Sequence, residues 1–314
     1  METIMIARIV LAFLLVVAAG CRPQASAPPP VDWNAFDGDR ARRHVEQLVG
    51  FGPRPSGTEA LAKSGDYIVA SLRAAGLEVE VQRFVKPTPR GETTFRNIIG
   101  RTSSAPSHHR KIVVFGSHYD TKWMPDITFV GANDAGSSTG ALLEMARVTA
   151  NQPDVWFVFF DGEECMESYS ATDGLWGSKH FATELVAGRP VKTGDIGAFV
   201  LLDMVGDADL TVTVPPSSTG WLALGMFDAA RELGWRDRFS YAETDIIDDH
   251  TPMVAAGIAS VNLIDFQFGS AAGQNDYWHT HQDTLDRVSA RSLEIVGRTA
   301  LRWLANYRQT TVPP

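Results

Sequence analysis

Two adjacent carboxylates, Glu163 and Glu164, close the most apolar run of the chain, VWFVFFDGEE. Paired acids can divide labour, one ligating a metal ion while the other moves protons. They can equally belong to an ordinary solvated loop, so their meaning depends on what else converges on them. Val155–Phe160 has the length and the β-branched and aromatic content of a strand buried on both faces, and Asp161-Gly162 breaks it. The glutamates therefore fall at the strand's C-terminal mouth, the edge where open α/β sheets bind ligands.

Residues of similar chemistry end other strand-like runs. His118 and Asp120 follow the run from Lys111 to Gly116, and Asp203 lies near the end of the run from Ile196 to Met204. Asp134 occupies the glycine-rich turn Gly131-Ala-Asn-Asp134-Ala-Gly136, and His279 sits in Tyr277-Trp278-His279-Thr280. A catalytic zinc takes imidazole and carboxylate donors, three from the protein with one position left open. Asp134, Glu164 and His279 could supply that set and leave Glu163 as the acid/base. Plainer roles are also open: Asp134 as a turn or N-cap residue, His279 as a hydrogen-bonded core histidine, His118 as a backbone partner. Asp203 leans towards function, because a carboxylate in an apolar run is costly to bury unless paired or coordinated. Cys165 has no neighbouring histidine and reads as a small core residue.

The elements that must hold these residues follow from periodicity. Arg40 to Val49 reads as a helix. Ser56-Gly-Thr-Glu59 has capping-box spacing and opens a second helix that Gly76 ends. Strands are expected around Leu77 to Val81 and Phe95 to Ile99, and at the runs already named. Others follow at Leu210 to Val214 and Ile258 to Ile264. Helices are expected at Ser137 to Ala150, Leu175 to Val186, around Trp221, Leu224 and Leu233, and from Pro252. A last helix places Leu293, Val296, Ala300, Leu301 and Leu304 at helical spacing. Strands alternating with helices predict an α/β fold, a three-layer sandwich whose mixed, mainly parallel central sheet is flanked by helices.

The 314 residues, 44% of them hydrophobic, suffice for a large core, and no compositional break divides the chain after residue 40. A formal charge of −9 argues against a nucleic-acid partner. Acidic residues cluster at 243–249, which would favour substrates carrying a free amine. Residues 1–20 read as a signal peptide, with an apolar stretch from Ile9 to Gly20 too short for a comfortable span. Val17-Ala-Ala-Gly-Cys21 resembles a bacterial lipobox. On that reading Cys21 carries a lipid, residues 21–35 form a tether, and a single domain runs from 36 to 314, exported and anchored at the bacterial cell envelope. A plain signal peptide cleaved nearby is the alternative. Either way Cys165 is the one remaining cysteine, so no intramolecular disulfide forms.

Together, Ser117-His118-Tyr119-Asp120, Gly131-Ala-Asn-Asp134, Asp161-Gly-Glu163-Glu164, Leu202-Asp203 and His279-Thr280 resemble the signature of zinc-dependent exopeptidases of the aminopeptidase type. The likeness runs from about residue 40 to the C-terminus. In that superfamily such residues bind two zincs, and a Glu acts as base. A narrower likeness lies in Asp173-Gly-Leu-Trp-Gly-Ser-Lys-His180, Asp248-Asp-His-Thr-Pro252 and Trp278-His279-Thr280. These resemble the animal-type glutaminyl-peptide cyclotransferases, which use one zinc to close N-terminal glutamine into pyroglutamate with release of ammonia.

That resemblance implies Asp134, Glu164 and His279 as zinc ligands and Glu163 as proton shuttle. Asp248 would bind the leaving amide, Asp203 would hydrogen-bond to Asp248, and Trp278 would wall the pocket. The implied partners are peptides or proteins with N-terminal Gln. Where the family has a Trp shortly after the glutamates, this chain has Tyr169, and Ile247 replaces a Gln before the paired aspartates. In the alternative reading, a di-zinc aminopeptidase, His118 and Asp203 hold the second metal.

Overall fold

The computed structural model describes residues 29–102 and 110–309. The predicted leader, Cys21 and most of the tether lie outside these residues. Among the described residues no helix is long and apolar enough to cross a membrane.

The elements run in the order α1 (Gly38–Gly50), α2 (Glu59–Ala74), β1 (Glu78–Thr88), β2 (Gly91–Arg101), β3 (Ile112–His118), α3 (Ser138–Thr149), β4 (Val155–Phe160) and α4 (Trp176–Val186). Then follow β5 (Ile196–Asp203), β6 (Val212–Val214), α5 (Gly220–Glu232), β7 (Phe239–Tyr241), α6 (His250–Ala255), β8 (Ser260–Ile264) and α7 (Ala290–Gln309). They build one eight-stranded sheet in the order β1-β2-β4-β3-β5-β8-β6-β7. Strands β4, β3, β5 and β8 run parallel at its centre, while β1, β2 and the β6–β8 pairing are antiparallel. The expected mixed sheet between helical layers is what the chain forms.

Each central strand feeds both layers, because successive side chains point to opposite faces. Val113, Phe115, Phe157, Phe159, Val200 and Leu202 join one core with residues of α1, α2, α3, α5 and α7. Their alternates Val114, Trp156, Val158, Phe160, Phe199 and Leu201 join a second core with residues of α4 and α6. All six residues of β4 are buried, as its uninterrupted apolar run predicts. From β3 the chain crosses by α3 to β4 on one side, then by α4 to β5 on the other. A crevice opens at the carboxyl ends of strands where the winding reverses in this way. His118, Glu163 and Asp203 all stand there.

Two local expectations shift. Thr58 caps α2 rather than Ser56, its side chain accepting from Leu61 N. Ser56 Oγ instead donates to Asp161 Oδ1 at 2.6 Å, tying the helix entrance to the loop after β4. In α5, Leu224 faces solvent while Leu222 and Met226 fill the core.

Candidate metal centre and active site

His118, the last residue of β3, is buried, with Nε2 3.1 Å from Asp134 Oδ1 and 3.3 Å from Asp203 Oδ1. On the other side of Asp134, His279 Nε2 lies 3.2 Å from its Oδ2 and 2.9 Å from Glu164 Oε1. Asp134 therefore turns one oxygen to each of two donor groups, His118–Asp134–Asp203 and Asp134–Glu164–His279, whose ligand atoms lie within 4.8 Å of one another in each group. Imidazole and carboxylate at this spacing suit zinc. Both ring nitrogens of His118 and Oδ1 of Asp203 are buried without a hydrogen bond of good geometry, which fits atoms placed for a metal rather than for each other.

The electrostatics have the same origin. Burial alone would lower the pKa of His118, but Asp120, Asp134 and Asp203 outweigh it and hold the ring well above its ordinary value. Burial opposes Glu164 and Asp134 in the same way at His279, which ends at about 9. Asp134 is held below the usual carboxylate range by the two histidines, against the effect of burial.

Backbone pins place these ligands. Gly131 has φ near +52°, and a Cβ there would stand 2.0 Å from the carbonyl oxygen of Asp134, so only glycine closes this turn. Asp283 accepts from Asn133 N at 2.6 Å and Asp134 N at 3.0 Å. The buried guanidinium of Arg54 donates to the carbonyls of Val130 at 2.7 Å and Gly131 at 3.1 Å. Asp120 accepts from Glu163 N at 3.2 Å and Glu164 N at 3.3 Å, which aims both glutamates. Asp173 receives the amides of Met166, Glu167 and Ser168, shaping the loop beyond. His279 adopts φ near +55° and stacks on Trp278, with ring centroids 3.9 Å apart.

Glu163 is buried, and desolvation, reinforced by neighbouring carboxylates, pushes its pKa well above the ordinary value. Tyr169 Oη lies 2.9 Å from each of its carboxylate oxygens. Burial, then Glu163 and Glu164, push the tyrosine's own pKa well up, so it remains a donor. Asp248 is likewise raised by burial and by Asp203 and Asp249. Its oxygens accept from Asp249 N at 2.6 Å and Asn262 Nδ2 at 2.7 Å. After burial, Asp203 is the strongest influence on Asp248, so the two carboxyl groups lie near one another. Asp203 faces His118 from the end of β5, whereas Asn262 on β8 holds Asp248.

A cavity of about 520 Å³ gathers Asp134, Glu163, Glu164, Tyr169, Asp203, Asp248, Trp278 and His279 in its lining. His118 touches Asp134 and Asp203 but does not line it. The acidic segment, including Glu243 and Asp245, lines one side, and Ile247 is 63% exposed at the rim. Cys165 is buried, with Lys122 Nζ 3.1 Å from its Sγ and 3.4 Å from Glu164 Oε2.

The same segments carry the relationship to known proteins. Residues 97–304 match the model of peptidase family M28. The chain belongs to that family. Among M28 relatives and related structures, it is 34% identical to an Acidobacteriales bacterium glutaminyl cyclase, with a TM-score of 0.79 over 91% of this chain and 98% of that one. It is 30% identical to the glutaminyl-peptide cyclotransferase of Bos taurus over 68% of each chain. It is 27% identical to a leucine aminopeptidase precursor of Bacteroides thetaiotaomicron, with a TM-score of 0.75 over 88% of this chain and 99% of that one. The M28 frame thus hosts every residue nominated from sequence. Arg54, Lys122, Asn262 and Asp283 were not nominated, and Asp173 was quoted in a motif without a role. Asp283 had a faint signal, an acid four residues after His279 in His-Thr-His-Gln-Asp.

Proposed function

We propose that this M28 chain is a zinc-dependent glutaminyl-peptide cyclotransferase, closing the N-terminal glutamine of peptides into pyroglutamate and releasing ammonia. Residues 36–314 form its catalytic domain. The observation that carries this reading is the sharing of one cavity by Asp248 and Trp278 with Glu163 and the Asp134–Glu164–His279 group. Peptide hydrolysis gives Asp248 no task, whereas an amide leaving group needs an acceptor there.

Zinc bound by Asp134, Glu164 and His279 would act as a Lewis acid on the γ-carbonyl of the substrate glutamine. The chain's own residues do the rest. Glu163 takes a proton from the attacking α-amine and returns it to the departing nitrogen, a role worth roughly 10²–10⁴-fold. Tyr169 holds the carboxylate by its hydroxyl. Asp248, fixed by Asn262, accepts from the amide that leaves, and Trp278 walls the cavity so that the folded-back glutamine fits better than an extended one. The acidic side of the cavity favours the substrate's amine.

The His118–Asp134–Asp203 group favours a second reading, a di-zinc aminopeptidase. One experiment separates the two. Purified protein is incubated with a Gln-initiated peptide and the product is weighed by mass spectrometry. Ammonia loss from an intact chain supports cyclisation, whereas loss of the first residue supports hydrolysis. Metal analysis of the wild type and of His118→Ala adds stoichiometry: two tightly bound zincs, one lost in the variant, would favour the peptidase. We also read the chain as exported and lipid-anchored through Cys21; unchanged membrane fractionation of Cys21→Ser would remove the anchor.

A further inference from the structure

Beside the catalytic loop lies a second cavity of about 500 Å³, lined among others by Arg83, Arg90, Arg96, Trp123, Asp161 and Met166. Its charge is opposite to that of the chain, which carries a formal −9. Arg83 and Arg96 are direct cross-strand partners on β1 and β2. Like charges placed directly opposite destabilise a sheet. Arg96 is partly relieved by Asp66 Oδ1 at 2.6 Å. Arg83 makes no hydrogen bond or ion pair among the described residues, and the Arg90 guanidinium lies 3.6 Å from the centroid of the Trp123 ring. Two carboxyl groups also line the cavity. Glu92 is exposed. Asp161 is buried and already accepts from Ser56 Oγ and Arg96 N, and burial pushes its pKa to about 8.

The position matters as much as the charge. Met166 is two residues from Glu164, which keeps their Cα atoms within about 7 Å. Trp123 follows Lys122, whose Nζ is 3.4 Å from Glu164 Oε2. The basic cavity therefore begins one or two residue lengths from the metal group, whereas the 243–248 acids line the catalytic cavity itself. A peptide with its amine towards those acids and its chain leaving past Met166 advances about 3.3–3.6 Å per residue towards the arginines, so the side chains to examine are those a few residues downstream.

Resting on the cyclotransferase reading, we propose that this cavity is a substrate subsite for acidic side chains downstream of the N-terminal glutamine. Carboxylates pair with guanidinium in a planar, two-point geometry that an unpaired Arg83 can offer. Such peptides would be oriented by charge at both ends, amine to the acidic wall and acid to the arginines.

The test uses amidated Gln-initiated pentapeptides with Glu or Lys at the third, fourth or fifth position, followed by ammonia release. Glu is expected to exceed Lys in kcat/KM by about fivefold at one position, mainly through KM, and the gap should shrink at about 0.5 M salt. The exposed double substitution Arg83→Ser, Arg90→Ser should erase the gap and leave turnover of glutamine amide unchanged. Equal handling of Glu and Lys overturns the subsite. So does an equal loss on glutamine amide, which would mark the arginines as structural. Affinities of the same peptides for Glu163→Gln are measured alongside. A Glu preference in binding without ammonia release from the wild type would sink the cyclotransferase reading and keep the subsite.

Discussion

Replacing Tyr169 by Phe removes one oxygen and leaves the ring that borders the cavity. That oxygen lies 2.9 Å from both carboxylate oxygens of Glu163. One proton shared between two acceptors makes a single hydrogen bond, so the lower end of the range for bonds to charged groups applies, about 1.5 kcal/mol. Converted at 1.4 kcal/mol per decade, kcat should fall about tenfold. The loss should sit in kcat, because the hydroxyl's short contacts are to the base, while Glu164 Oε2 is farther off at 3.5 Å. The pH profile should move as well. A donor to the ionised form stabilises it, so removing the donor raises an already elevated Glu163 pKa and shifts the acid limb of kcat/KM to higher pH. Steady-state ammonia release between about pH 5 and about pH 9 on both proteins measures each effect. A kcat within twofold of wild type across that range, or a loss confined to KM, would refute the idea that Tyr169 holds the base.

Three further outcomes follow from the geometry. Glu163→Gln should keep metal content and lose turnover by roughly 10²–10⁴-fold; retained activity would refute the shuttle. Gly131→Ala would force a Cβ against the Asp134 carbonyl 2.0 Å away, so a cost above about 4 kcal/mol is expected; a melting temperature and zinc content close to wild type would show that the turn can relax. Stability should also depend on pH in a defined way. Half-buried His44 and buried His250 are held down at about 4 by desolvation, so they cost stability as pH falls from about 6.5 towards 4. Burial raises Asp161 to about 8 and Asp265 to about 7, so their contribution is complete below about 4 and is lost as pH rises through those values. Of these four groups only the aspartates act above about pH 6.5, and the melting temperature should fall towards about pH 8. Asp161→Asn can still accept from Arg96 N and donate to Ser56; a melting curve whose pH slope is unchanged in that variant would refute the assignment.

The strands and their C-terminal residues were legible because apolar runs and the Asp-Gly or Gly-Ala-Asn-Asp breaks after them are local signals. Glu163, Glu164 and Asp203 were legible for the same reason, standing at the mouths of such runs, whereas Asp134 and His279 were legible from the short motifs around them. Their supports were not. Asp283 braces Asp134 from 149 residues away, and Arg54 reaches the Gly131 carbonyl across 77, distances on which a sequence pattern is silent. The capping assignment failed at Ser56 for a related reason, since its hydroxyl is claimed by Asp161, 105 residues on. Asn262, which holds Asp248 from within a buried strand, gave no signal either, since one polar residue in an apolar run does not name its partner.

Strand β4 is packed on both of its faces, with Phe157 and Phe159 in one core and Val158 and Phe160 in the other. A strand held in this way makes a poor hinge. The two glutamates it carries cannot shift to meet a substrate without disturbing two cores at once, so the protein must adapt to different peptides at its rim. Amide exchange offers a direct view of that division: the β4 amides should open only with the whole fold, while the 243–247 segment and the stretch around Trp123 exchange by local opening. Sequence variety among substrates would then be absorbed by the parts of the molecule that breathe, around a reacting centre that does not.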